Sequence, residues 1–86
     1  MNINELIAIV KKKLEKEIII QGLKIEDKSF LHKNHKGHQE GKFHLKLVIT
    51  SDELAQRSKI ASTKRVYSIL ETELKEHIHS IQILLN

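Results

Sequence analysis

The sequence predicts an α+β fold in the order helix-strand-strand-helix-helix-strand, with helices on one face of a three-stranded sheet. Three patterns carry this expectation. Ile3, Leu6, Ile7, Val10 and Leu14 recur at steps of three and four, the repeat of one helical face. Phe43, Leu45, Leu47 and Ile49 alternate with His44, Lys46, Val48 and Thr50, the two-residue repeat of a strand with one apolar face. Val66, Leu70 and Leu74 return every four residues, with Tyr67 and Ile69 beside the stripe, and mark another helix.

Each element has a local cause. Asn2 followed three residues later by Glu5 has the form of a capping box, so the first helix should run from about Asn4 to Glu17. The β-branched run Ile18-Ile19-Ile20 suits a helix poorly, and Gly22 lets the chain turn into a strand over about Leu23 to Asp27. From Ser29 to Lys42 the apolar repeat disappears. Gly37, Gly41 and their polar neighbours read as a long mobile loop, a kind of segment that more often serves function than packing. After the second strand, Ser51 and Asp52 supply an N-cap and a first-turn carboxylate for a short helix to about Gln56. The next helix should begin near Ser58 to Ser62 and run unbroken to about Glu76, with Glu71, Glu73 and Lys75 on its exposed side. Ile78 to Leu84 is β-branched and partly alternating, which suggests a last strand. Residues 1–86 read as a single domain without internal repeats.

Composition narrows the function. Phe30, Phe43 and Tyr67 are the only aromatic residues, so the core must be aliphatic. There is no cysteine, which excludes a disulfide framework and fits a reducing compartment. The segment Met1 to Glu5 lacks the pattern of a signal peptide, and the apolar runs fall far short of the roughly 20 residues that cross a bilayer. The expectation is a soluble, cytoplasmic protein. The net charge of +4 rises as any of the six histidines protonates, so an anionic partner would bind more strongly below about pH 6.5. The run Lys11-Lys12-Lys13 reads as a solvated helix end, favoured there by the helix dipole. An enzyme is not expected: the sequence offers no cysteine nucleophile, no glycine-rich phosphate loop and no evident pair of catalytic carboxylates.

The histidines carry most of the remaining information. His32, His35, His38 and His44 fall in one stretch, while His77 and His79 precede the last strand. Neutral imidazole is a good metal ligand, yet any one loop histidine can equally be a solvated polar residue. A histidine-only zinc site within the loop is less attractive, because a spacing of three in irregular chain does not fix coordination geometry. His44 alternates with the apolar face and would be exposed on the sheet. His77 reads as a surface residue at a helix end.

Taken together, Asp27-Lys-Ser29-Phe-Leu-His32, the His/Gly loop, Phe43-His44-Leu-Lys-Leu-Val-Ile-Thr-Ser51-Asp52, Val66-Tyr67 and Ile78-His79-Ser-Ile81 resemble the BolA family. The resemblance runs from the first helix to Leu84 and implies the same element order, in a fold similar to the class II KH domain. It also implies a [2Fe-2S] cluster shared with a monothiol glutaredoxin and glutathione, ligated from this chain by His79 and by one of His32, His35, His38 or His44. Replacing thiolate by neutral imidazole is chemically sound at such a centre. The isolated chain is expected to be monomeric and to hold no cluster alone. The alternative that the resemblance implies is a DNA-binding transcriptional regulator of morphology and stress responses, touching phosphates through Lys59, Lys64 and Arg65. The chain departs from the family's usual pattern, with Leu54 and Gln56 after Ser51-Asp52 and Ser62-Thr63-Lys64-Arg65 before Val66-Tyr67. It also lacks the G-x-x-G clamp of KH domains, since glycine occurs only at 22, 37 and 41.

Overall fold

The computed structural model describes residues 1–29 and 42–86. Its elements are α1 (Ile3–Glu17), β1 (Gly22–Asp27), β2 (Phe43–Thr50), α2 (Asp52–Ala55), α3 (Lys59–Ile69), α4 (Glu71–Glu76) and β3 (Ile78–Leu85). The loop predicted between β1 and β2 lies outside the described residues over positions 30–41.

Asn2 caps α1 as expected, with Glu5 returning a bond to the Asn2 side chain in place of its backbone N–H. Asn2 Oδ1 accepts from the Glu5 N–H at 2.8 Å while Asn2 Nδ2 donates to Glu5 Oε1 at 3.1 Å. Leu6, Val10 and Leu14 of α1 are buried, and the helix stops where Ile18 adopts extended backbone. Ser51 caps α2 by accepting from Leu54 N–H at 3.2 Å, and its hydroxyl donates to Ile19 O at 2.7 Å, tying the turn after α1 to the end of β2. Gln21 Oε1 accepts from Asp52 N–H at 2.9 Å across the same junction. Ser58 caps α3, and the buried Ser62 hydroxyl donates to Leu54 O, a carbonyl at the end of α2 that also accepts from the Arg57 N–H.

The sheet order is β1-β2-β3, with β1 antiparallel and β3 parallel to β2. Leu47 and Ile49 pair with Ile25 and Leu23 on one side and with Ile83 and Leu85 on the other. These residues line one face and pack with Leu6, Val10, Leu14, Val66 and Leu70 in a single aliphatic core. The central strand is therefore the one whose apolar alternation was clearest in sequence. A parallel β2–β3 pair needs a crossover, which α2, α3 and α4 supply.

Two expectations about the helices need correction. The predicted long helix is two: at Leu70 the backbone leaves helical values (φ −99°, ψ 17°), and α4 starts at Glu71. No glycine or proline forces this break. It keeps Leu70 fully buried while redirecting the chain, so packing overrides local helix propensity. Glu73, three residues after Leu70 and seven after Val66, lies on their side and is buried rather than exposed, and there Lys13 Nζ contacts its two carboxylate oxygens at 2.9 and 2.7 Å. Lys13 is thus the cation that compensates a buried charge between α1 and α4, not part of a solvated helix end. Among the described residues no helix is long and apolar enough to cross a membrane.

Candidate metal-ligating site at the start of the last strand

The parallel ladder between β2 and β3 is irregular at its first step. Phe43 pairs with Ile78, but His44 pairs with Ser80, so His79 is an extra residue in a β-bulge. Ile78 is buried with the core and Ile81, Ile83 and Leu85 pack against it, a spacing of three and then two. The bulge takes up the odd residue, so both His79 and Ser80 are exposed, at the place where His44 reaches the opposite face of the sheet.

His44 is there nearly buried, at 5% exposure, and not exposed on the sheet as its alternation suggested. Its Nδ1 lies 2.6 Å from Ser80 Oγ, and its ring centroid stands 4.9 Å from that of His79 at an interplanar angle of 56°. The bulge is the cause: without it His79 and Ser80 would alternate between faces. The His44 backbone is also held, its N–H donating to Ser29 Oγ at 3.0 Å and its carbonyl accepting from Lys28 N–H at 2.7 Å. Ser29 N–H in turn donates to Asp27 Oδ1 at 2.9 Å, so the Asp27-Lys-Ser29 motif clamps the end of β1 to the start of β2.

A shallow cleft of about 230 Å³ opens beside the pair, lined by Lys28, His44, Lys46, Ser80 and Gln82 among others. Glu26 sits among Lys24, Lys28 and Lys46 at 3.6, 3.8 and 3.9 Å, so three cations share one carboxylate there. When Nδ1 carries the proton, Ser80 Oγ accepts from it and Nε2 presents the lone pair, the arrangement that typically orients a ligating imidazole. The donor set suits soft or borderline metal chemistry only with help. Among the described residues no three His, Asp or Glu side chains gather as a metal site, and the chain has no thiol.

The predicted ligands are thus partly brought together. His79 and His44 meet, while His32, His35 and His38 lie outside the described residues. Ser29 and Lys42, which flank those histidines in sequence, are at the same end of the sheet as His79, because Asp27 pairs with Leu45 and Phe43 with Ile78. His77 is the C-cap of α4, its N–H donating to Glu73 O and its carbonyl accepting from Phe43 N–H. Ser80 escaped sequence reasoning, although the step of three between Ile78 and Ile81 was the signal for the bulge that presents it.

The predicted phosphate-binding cations separate into two kinds. Arg65 is committed within the fold: Nη1 contacts Glu53 Oε2 at 2.9 Å and Nη2 donates to Glu17 O at 2.6 Å, closing the C-terminus of α1. That corrects its reading as a nucleic-acid contact, since both ends of its fork are already occupied. Lys59 and Lys64 are exposed and flank a cleft of about 280 Å³ with Ile60, Thr63 and Tyr67.

Comparison with known proteins agrees with this architecture. The family model described as BolA-like protein matches residues 14–86. The DNA-binding transcriptional regulator BolA of Haemophilus influenzae is 32% identical over 75 residues, covering 87% of this chain and 70% of that protein. SufE-like protein 1 of Arabidopsis thaliana, chloroplastic/mitochondrial, is 31% identical over 80 residues, but the chain spans only 22% of its length. Among solved structures, the BolA domain of SufE1 from Arabidopsis thaliana superposes with a TM-score of 0.78 at 29% identity, covering 100% of this chain and 93% of that one. BolA1 from Arabidopsis thaliana gives 0.78 at 28% identity, over 92% and 87% of the two chains. With the element order, the bulged histidine strand and these matches in agreement, the chain belongs to the BolA-like family.

Proposed function

We propose that this protein is a binding module, without catalytic activity of its own, that shares a [2Fe-2S] cluster with a monothiol glutaredoxin and glutathione in iron-sulfur handling or iron-linked regulation. The observation that carries the reading is the His44–His79 pair, two imidazoles held 4.9 Å apart on a bulge beside a cationic cleft. His79 serves as the fixed ligand. The second imidazole is His44 or one of His32, His35 and His38. When bound, the cluster supplies the iron sites, and the thiolates come from the partner because this chain has none. The chain's own residues orient the imidazoles, Ser80 through His44 Nδ1, while Lys28 and Lys46 offer positive charge to an anionic partner surface. A reducing compartment such as the cytoplasm suits this chemistry.

The test is spectroscopic. Adding the protein to cluster-loaded glutaredoxin should change the visible absorption and circular dichroism of the cluster, and His79→Ala should remove the change. An unchanged wild-type spectrum would sink the reading. If His44→Ala alone also removes the change while a triple His32/His35/His38→Ala variant retains it, His44 is the second ligand.

A second reading rests on the exposed Lys59 and Lys64 beside Ile60 and Tyr67, and on the name of the Haemophilus influenzae relative. It requires sequence-preferring DNA binding that persists at about 150 mM salt, since charge alone gives binding that fades by counterion competition. Lys59→Ala/Lys64→Ala should abolish it, and Arg65 should matter only through stability.

A further inference from the structure

The two outer strands of the sheet are unequally protected. Strand β1 is six residues long and carries Lys24, Glu26 and Asp27, the kind of charge that discourages another strand from pairing. Strand β3 is eight residues long and has no Lys, Arg, Asp, Glu or Pro. Its bulge lies at the first step only. Asn86 N–H donates to Ile49 O, which fixes the phase of the ladder: the even-numbered residues after the bulge face β2, and Ile81, Ile83 and Leu85 turn their N–H and C=O to the other side. No strand of the described residues pairs there. Ile81 and Ile83 are only half-buried, and Leu84 is 39% exposed.

We propose that the outer edge of β3 is a self-association surface, on which a second copy of this chain adds its own β3 antiparallel to form one continuous sheet. The strand is its own complement. About a twofold axis through Gln82, Ile81 of each copy stands opposite Ile83 of the other on the helix-bearing face, extending both cores across the junction. On the opposite face Ser80 meets Leu84, and the two Gln82 side chains meet each other. Charge selects the same place: each copy carries a net +4, so two copies approach best along the strand that has no cation. The inference is independent of the histidine pair and replaces the expectation of a monomer.

Sedimentation equilibrium of the protein alone, without iron or glutaredoxin and at about 100 μM, a concentration at which a dimer of micromolar dissociation constant predominates, is the test. A dimer is expected. Gln82→Lys and Gln82→Glu put like charges opposite each other at the axis and should each weaken it about threefold to tenfold, while an equimolar mixture of the two should recover it. Both substitutions lie on an exposed position, so folding should persist. Amide exchange at Ile81 and Ile83 should slow as protein concentration rises, with Lys24 and Glu26 unchanged. A monomer at every concentration overturns the proposal, as does a dimer indifferent to both substitutions or a strand from a different protein pairing there while this chain stays monomeric.

Discussion

At the residue scale, two buried polar groups decide most. His79 is exposed, so His79→Ala should change unfolding free energy by less than about 0.5 kcal/mol in urea denaturation, and any lost cluster signal then reports chemistry rather than unfolding. Ser80→Ala removes the partner of His44 Nδ1 and should weaken cluster-linked circular dichroism by a part of what His79→Ala removes. Glu73 behaves differently. Its carboxylate is 7% exposed and depends on Lys13, so Lys13→Met should destabilise by about 1–3 kcal/mol, whereas Lys13→Met with Glu73→Leu should cost less than the single change. The histidines were legible as ligand candidates because imidazole in a loop lacks a packing reason. The pairing of His44 with His79 was one of four options that the family resemblance implied, while alternation by itself placed His44 on a solvated face and gave no sign that Ser80 and His79 would cover it. Glu73 was misread on residue type: it shares the helical face of Val66 and Leu70, and its burial depends on Lys13, which is distant in sequence.

At the element scale, short helices depend on side-chain caps more than on propensity. Ser51 closes α2 and also holds Ile19 O, so Ser51→Ala should cost about 1–2 kcal/mol in denaturant unfolding, more than a cap alone on an exposed helix. Ser62→Ala removes a buried hydrogen bond to Leu54 O, which keeps the Arg57 N–H as donor, and should cost about 0.5–1.5 kcal/mol, while Ser62→Cys should cost less. The Asn2 and Ser51 caps could be read directly from residue type and spacing, and their hydrogen bonds are the ones expected. The role of Ser62 could not, since its partner is set by how α2 and α3 cross.

At the scale of the whole molecule, stability rests on one aliphatic layer between α1, α3 and the sheet. Leu47 lies at its centre with no exposure, so Leu47→Ala should cost about 3 kcal/mol, a large share of what a chain of this size has. Salt should separate the two functional readings by degree, because phosphate contacts fall steeply with counterion competition while the glutaredoxin complex loses only the screened attraction at Lys28 and Lys46. The sequence by itself determined the α+β class, the order of elements apart from the division of the last helix, and the apolar faces of α1 and β2, because periodicities of 3.6 and 2 follow from backbone geometry alone. Only the tertiary structure decided that β2 lies between the others, that one predicted helix is two, that Arg65 is spent inside the fold, and that a bulge brings His79 to His44. Each of these depends on a partner distant in sequence, whose position is fixed by packing and by register between strands, and neither is written in any local pattern.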